Sequence, residues 1–563
     1  MENERQGSFN RKKLHKIQRC FRVFIFLMIG ILIFLILQAI LVPKRFVYTK
    51  SHDAGKLAGY YTEEKNSIDV LICGTSHASK AILPMELYEN EGIKSYNLST
   101  SSQTVEVAYY MLCEALKTQT PKVFVYDVSA LYKNSATKNN WMYALDEMHF
   151  GTNKIAFVRE YQRSAENCEE SMKDMLLPVL RYHIRWKELE RQDFTALFSD
   201  RHYYGKGGQI NSAAAAADFS VDEMNFIEEE LLQDTKKTEY VYDGSAECEK
   251  EEENTLYSIR IPEKNIVWLE KMKTLCDENG ILFLAVKVPA MDLPQSYEAA
   301  WTVGKYNATR SLCEECGISY YDLEYDADVD IDWSSDTLDQ GRHLNLSGAQ
   351  KVSAVLGEYL KKQYDLPDEH NEQWDKDLSA YQKVCGIAKL QLEKDFTAYV
   401  DMLANECQDK VILIAAADDM TEGLKEDIGK LKLLGLQADF SEAFQKSYIA
   451  VIENGTVKYE ALSNRRLHYR AGVYGKEEVF YELYSSGWRT SPKASITLAD
   501  DEFVCNAKEG LNIVVYDGER NLVIDSVCFV FDEEEGYTAF RNNAKTNSLE
   551  VAFERHIIEK ESR

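Results

Sequence analysis

Five short apolar runs divide the first two-thirds of this chain: Ile68–Cys73, Ser95–Leu98, Lys122–Asp127, Ile281–Val286 and Ile318–Leu323. Between them lie longer stretches of helical periodicity, such as Val105–Lys117 and Ile266–Asn279. Apolar runs of this length, alternating with amphipathic helices, predict a parallel sheet buried on both faces, a doubly wound α/β fold. In such sheets the residues that do chemistry collect beyond the carboxyl ends of the strands. Ser76, Ser99 to Gln103, Asp127 and the Lys287-Val288-Pro289 loop each follow a run directly and are expected on one rim.

The first run ends in Gly74-Thr75-Ser76-His77, a glycine-assisted turn that delivers a serine at the start of a helix. Far downstream, Asp339-Gln340-Gly341-Arg342-His343-Leu344-Asn345 precedes a helix-like segment beginning near Gly348. A serine hydroxyl is a poor nucleophile until a base takes its proton, and an imidazole base works best when a carboxylate fixes its tautomer. Ser76, His343 and Asp339 are therefore the expected nucleophile, base and orienting acid. The Ser76 N–H, near a helix start, is placed to stabilise developing negative charge. His77 reads as a pocket wall, because adjacent side chains diverge on a strand-to-helix turn.

Together these motifs resemble the SGNH (GDSL-like) hydrolase superfamily over residues 60–365, and in particular its membrane-anchored branch of DltD-like and AlgX/AlgJ-like proteins. The resemblance implies a flavodoxin-like, five-stranded parallel sheet with the nucleophile after the first strand, as at Ser76. It also implies a last block supplying Asp and His, as at Asp339 and His343, continued by Asn345 and Gly348-Ala349. That family places the Asp three residues before the His. Here that position is Gln340, so Asp339 stands one step further away and Asp336 is the reserve. The family's glycine in the second block is replaced by Ser99–Ser102, and its Gly-x-Asn-Asp block by Tyr126-Asp127-Val128-Ser129. Asn97, Ser99, Ser101, Gln103 and Lys287 are the candidates for oxyanion or substrate contact, Lys287 equally for a surface ion pair. Trp333 suits packing or stacking on a sugar ring.

The resemblance implies a serine O-acyltransferase or esterase that moves acyl, chiefly acetyl, groups on cell-envelope or exported polysaccharide. It implies an acyl donor, no cofactor and, as a partner, a membrane-bound O-acyltransferase. The competing expectation is a non-catalytic glycan-binding or assembly protein on a degenerate scaffold.

Val23–Val42 is almost wholly apolar, and its twenty residues at about 1.5 Å each match a bilayer core of about 30 Å. Arg11, Lys12, Lys13, Lys16, Arg19 and Arg22 precede it, against Lys44 and Arg45 after it. This asymmetry predicts a cytoplasmic tail over 1–22, an anchor over 23–43 and an extracytoplasmic body. The run is long for a cleaved signal, and Leu41-Val42-Pro43 is a poor cleavage site. The first 45 residues hold nine Lys/Arg against two Glu, so of the total charge of −27 the remainder carries −34. So acidic a body argues against nucleic acid as partner.

Residues 134–262 interrupt the strand–helix rhythm and read as an insertion, either a lid over the rim or a plain surface addition, with an acidic stretch at Glu249–Glu253. Residues 366–377 read as a polar linker, followed by a mostly β domain over 378–563. There Val411–Ala416 reads as a strand and Leu424–Leu434 as an amphipathic helix. Tyr448–Ile452, Val479–Tyr484, Ala494–Leu498, Leu511–Tyr516 and Leu522–Phe529 read as further strands. Gly510–Asp517, Val523–Phe529 and Val411–Asp419 with Leu434-Gly435 resemble the two halves of ILEI/PANDER-type domains in permuted order. Some members of that family are thought to bind carbohydrate. The twelve cysteines show no zinc-like spacing, and no metal is expected. The one close pair, Cys313 and Cys316, suits a local disulfide or two free thiols.

Overall fold

The computed structural model describes residues 2–43, 53, 55–132, 138–164, 170–195, 197, 202–214, 261–290, 308–324, 326–420, 427–474, 478–499, 501–518, 522–532 and 536–541. Its first sheet contains β1 (Val70–Cys73), β2 (Ser95–Asn97), β3 (Val123–Asp127), β4 (Leu282–Lys287) and β5 (Ser319–Asp322). All five are parallel, in the order β2-β1-β3-β4-β5. These are the five runs expected from the sequence, each within two residues at either end.

Strand side chains alternate between the two faces, which is why both must be covered. Val70, Ile72, Val123, Val125, Leu284 and Val286 form one buried cluster with Ala78, Leu87, Val352 and Leu356. These partners come from α3 (Ser76–Ala81), α4 (Pro84–Glu91) and α12 (Leu346–Gln363). Leu71, Cys73, Phe124, Tyr126 and Phe283 face the other way, into a cluster with Met111, Leu112, Leu269 and Met272. Those belong to α5 (Val105–Ala115) and α11 (Glu263–Glu278). Of the chain before β1, α1 (Glu2–Leu41) and α2 (Lys56–Tyr60) are described. Within α1, Ile17–Leu41 is long and apolar enough to cross a membrane, at a mean hydropathy of 3.0.

The described part of the insertion is helical at first, with α6 (Lys138–Glu147), α7 (Thr152–Ser164), α8 (Met172–Leu176), α9 (Pro178–Arg181) and α10 (Arg191–Thr195). It then returns to the first sheet. The Asn97 N–H donates to the Lys206 carbonyl, the Gln209 N–H to Ser79 and the Leu346 N–H to Asn211. Residues 206–211 are thus stitched between the helix carrying Ser76 and the helix that follows His343. Glu249–Glu253 lies outside the described residues.

The stretch expected to be a linker contains the start of a 21-residue helix, α13 (Glu372–Leu392). Trp374 is buried with its ring centroid 5.1 Å from that of Tyr88, and the Tyr381 hydroxyl donates to Glu86 at 2.8 Å. Further along, Gln391 donates to the Ile524 carbonyl of the second sheet. One helix therefore touches both halves of the chain. With α14 (Phe396–Glu406) it covers a face of a ten-stranded mixed sheet. Central β6 (Val411–Asp418) pairs with β7 (Ser447–Glu453), β10 (Glu478–Gly487) and β13 (Gly510–Asp517). Its alternate residues Val411, Leu413, Ala415 and Ala417 face a separate core.

The sequence reading misses β8 (Thr456–Ser463) and β9 (Leu467–Tyr474), whose mixed polar sequences are held by pairing to β7 and β10. Of the expected helix Leu424–Leu434, the described part, Asp427–Leu434, is 3-10 helical. Cys313 and Cys316 are both free thiols.

Candidate functional site

Ser76 is the first residue of α3, directly beyond β1. Thr75 caps the helix: its hydroxyl oxygen accepts the His77 N–H at 3.2 Å. In that first turn no preceding carbonyl exists to take the Ser76 N–H. The turn rests on Asp127, at the end of neighbouring β3. The Asp127 carboxylate accepts the Thr75 N–H at 3.1 Å and its hydroxyl at 2.8 Å. A Cβ on Gly74 would fall 2.5 Å from the Asp127 Cβ, so only glycine lets the two strands' ends approach this closely.

His343 arrives on a hairpin-like loop pinned by a bridge between Thr337 and Leu344 and by the Leu338 N–H donating to the His343 carbonyl. Gln340 (φ 62°) and Gly341 (φ 90°) occupy the left-handed region in succession and reverse the chain between acid and base. Asp339 then binds His343 twice, Oδ1 accepting the backbone N–H at 2.8 Å and Oδ2 pairing with Nδ1 at 2.7 Å. This tight reversal is what accommodates the extra residue in the Asp–His spacing.

On the other side of the ring, His343 Nε2 lies 2.8 Å from Ser76 Oγ, across 267 residues of chain. A carboxylate can only accept, so Nδ1 carries the hydrogen and Nε2 presents a lone pair to the serine hydroxyl. Burial by itself would raise the Asp339 carboxyl, but the hydrogen bonds and charge of His343, with a weaker pull from Lys80, hold it below the usual carboxylate range. An ionised carboxylate in this position is able to hold an imidazole in one tautomer.

Asp336, the reserve acid, is elsewhere: its carboxylate takes the Lys351 ammonium at 2.7 Å and the Asp332 N–H at 2.8 Å. His77 is half-buried beside Ser76, with its ring centroid 5.0 Å from that of His343. Its Nδ1 is 3.2 Å from Ser129 Oγ, and that hydroxyl donates to Asp127 at 2.6 Å. The Ser129 oxygen is therefore the acceptor and His77 Nδ1 the donor. His77, Ser129 and Asp127 form a second chain of hydrogen bonds flanking the first. Neither Ser129 nor the bracing role of Asp127 is legible locally, because their partners lie 52 residues away.

The side chains of Asn97, Gln103 and Lys287, and the backbone of Ser99 to Ser101, are engaged within the framework. Asn97 donates to the Ala78 and Ile82 carbonyls and accepts the Ser99 N–H at 2.9 Å. Gln103 accepts the Gly74 N–H at 3.1 Å and donates to the Leu98 carbonyl. The Thr100 N–H goes to Gly74 O and the Ser101 N–H to Asp53. Ser99 is buried, and its carbonyl accepts Lys56 Nζ at 2.7 Å. Lys56, missed in the sequence because no local pattern marks it, also donates to Ser79 at 2.6 Å and so ties α3 to the loop after β2. Lys287 is fully buried and ion-paired to Glu324 at 2.7 Å, an internal pair and neither surface nor pocket. Trp333 is half-buried just ahead of the Asp339–His343 loop. Among the described residues no group of three or more His, Cys, Asp or Glu is arranged to hold a metal.

The site is thus a serine, an imidazole and a carboxylate in hydrogen-bonded series, on the carboxyl rim of a parallel sheet of order 2-1-3-4-5. Among solved structures, a GDSL-like lipase from Bacteroides thetaiotaomicron is similar at 12% identity and a TM-score of 0.23, covering 52% of this chain and 88% of that one. A catalytic mutant of an acetylxylan esterase from Geobacillus stearothermophilus is similar at 9% identity and a TM-score of 0.23, covering 54% and 99%. No family model and no curated protein matches the sequence.

Proposed function

We propose that this chain is a membrane-anchored serine O-acyltransferase or esterase of SGNH type, acting outside the cytoplasm on envelope or exported polysaccharide. The observation that carries the reading is the relay Asp339–His343–Ser76, with contacts of 2.7 and 2.8 Å. As Ser76 Oγ attacks an acyl carbonyl, its proton passes to His343 Nε2, and the imidazolium is held by Asp339. The Ser76 N–H faces the developing oxyanion. Collapse expels the donor's leaving group, which takes the proton from His343 and leaves an acyl ester on Ser76. An incoming hydroxyl then gives its proton to His343 and attacks the acyl carbon, and collapse expels Ser76 Oγ, which takes that proton back from His343. A sugar hydroxyl at that step makes the enzyme a transferase, and water makes it an esterase.

The polysaccharide acceptor and a membrane-bound O-acyltransferase as donor-side partner rest on the motif resemblance to the DltD-like and AlgX/AlgJ-like branch. The permuted ILEI/PANDER-like reading of the C-terminal half assigns that half to polymer capture, a second weak site that raises the polymer's effective concentration at the rim. Anchoring through Ile17–Leu41, with the N-terminus cytoplasmic, rests on the apolar length and the flanking charge.

One observation favours the alternative, a glycan-holding scaffold without turnover. The N–H groups of Ser99, Thr100 and Ser101, from which a second oxyanion donor would come, are already taken by Asn97, Gly74 and Asp53. A fluorophosphonate probe separates the two. Labelling of the purified full chain that vanishes in Ser76→Ala supports the enzyme. A folded protein that never labels supports the scaffold.

A further inference from the structure

Among the described residues outside α1, twelve large apolar side chains are exposed, and four of them fall between residues 180 and 194. Leu180 is 42% exposed, Ile184 63%, Trp186 66% and Phe194 46%. This short segment, α9, a 3-10 turn (His183–Lys187) and α10, is fastened to the body by Arg181 paired with Asp146 and by Tyr182 donating to the same carboxylate at 2.7 Å. It is a built feature with its apolar groups turned outward.

Its position gives the occupant. The Val179 N–H donates to the Gln38 side chain at 2.8 Å, and the Arg185 guanidinium donates to the Leu41 carbonyl at 2.8 Å. Ile40 and Leu41 are buried against this segment, whereas the large apolar residues of α1 from Ile17 to Leu37 are exposed. The segment therefore grips the last turn of the apolar helix, the level at which a spanning helix leaves hydrocarbon for headgroups. Twenty-five residues, Ile17–Leu41, reach about 37 Å, so a core of about 30 Å ends within a turn or two of the grip.

The chemistry suits that level. Tryptophan, leucine and phenylalanine flanked by Lys and Arg are the composition of an element lying in a bilayer interface. Here Arg185 is bonded to Asp193 at 2.8 Å, Lys187 Nζ lies 5.6 Å from the centre of the Trp186 ring, and Arg191 opens α10.

We propose that residues 178–195 form a collar that docks on the phospholipid surface around the exit of α1, burying Leu180, Ile184, Trp186 and Phe194 at the headgroup–acyl boundary. The proposal rests on the anchor reading above and adds a second attachment to it. A single helix leaves the body free to swing, whereas a helix with a collar fixes the tilt and height of the Ser76 rim above the membrane.

The test uses the full chain in nanodiscs of phosphatidylcholine and phosphatidylglycerol, with and without lipids brominated at the 6 and 7 acyl positions. None of the seven tryptophans lies between Ile17 and Leu41, so bromine quenching of tryptophan emission reports on the body. The collar predicts clear quenching in the wild type that falls by more than half in Trp186→Phe. Equal quenching in the two proteins, or none in either, overturns the collar while leaving the anchor in place. Quenching that is absent while cross-linking traps dimers through this segment overturns it in favour of self-association. Protein that does not stay with the nanodisc on sizing defeats the anchor reading and the collar with it.

Discussion

Asp339 holds His343 by two atoms, the backbone N–H at 2.8 Å and ring Nδ1 at 2.7 Å, so a single carboxylate sets both the path of the loop and the tautomer of the base. The first contact supports the loop and the second fixes the ring, which makes the residue's removal informative on structure and on the proposed chemistry.

Members of a relay act as a unit, so Ser76→Ala and His343→Ala should each lower acyl-ester turnover by roughly 10⁴-fold or more, and the double variant should cost little beyond either alone. Asp339→Asn should be severe, because the amide favours the wrong tautomer, whereas Asp336→Asn should chiefly lower stability. Turnover of p-nitrophenyl acetate beside circular dichroism measures both. Near-normal turnover by folded Ser76→Ala would end the mechanism.

Asp339 also carries a dependence on pH. Its folded carboxyl is held below the unfolded value of about 3.9, despite burial, by its bonds to His343. Stability from this pair is therefore fully present above about pH 4 and is lost as pH falls through the folded value. Urea midpoints measured from pH 5 downward should drop more steeply in the wild type than in Asp339→Asn. Parallel curves would show that the pair contributes nothing to the acid limb.

Gly74→Ala tests the close approach of β1 and β3. The added carbon would meet the Asp127 Cβ at 2.5 Å and the Ala78 Cβ at 3.1 Å, neither of which is the far end of a flexible chain. Overpacking of this kind costs about 1–3 kcal/mol, and the turn that aims Ser76 must shift to relieve it. Chemical denaturation should register the loss, and fluorophosphonate labelling should slow with it. An unchanged midpoint and labelling rate would contradict the geometry.

Truncation tests α13. A chain ending at Gln363 leaves Tyr88, Glu86 and Lys206 without Trp374, Asp377 and Tyr381. It should be poorly soluble or much less stable than the full chain, and small-ester turnover should fall accordingly. A stable, fully active protein ending at Gln363 would show that α13 belongs energetically to the second sheet alone.

The two regions differ in how much the sequence could say, and the reason is range. A central parallel strand such as Ile68–Cys73 or Lys122–Asp127 must be apolar on both faces, so burial writes a local run that needs no knowledge of its neighbours. The Gly74-Thr75-Ser76 turn is equally local, since capping and close approach act within a few residues. Strand order is not local, since doubly wound sheets occur in more than one order, and the meeting of Ser76 with His343 is made across 267 residues of chain.

Nothing local could tell that Asn97 and Gln103 brace the turn, or that Lys287 is neutralised inside by Glu324. Both are decided by partners brought up by folding, and a polar side chain reads alike whether its partner is substrate or backbone. The same holds for residues 366–377, whose polar letters suggest a linker. Trp374 and Asp377 become buried because Tyr88, His202 and Lys206 arrive from elsewhere to receive them. Periodicity and turn chemistry, being short-range, are properties of the sequence alone. The assignment of each polar group to catalysis or to framework depends on contacts across the chain, and only the tertiary structure makes those.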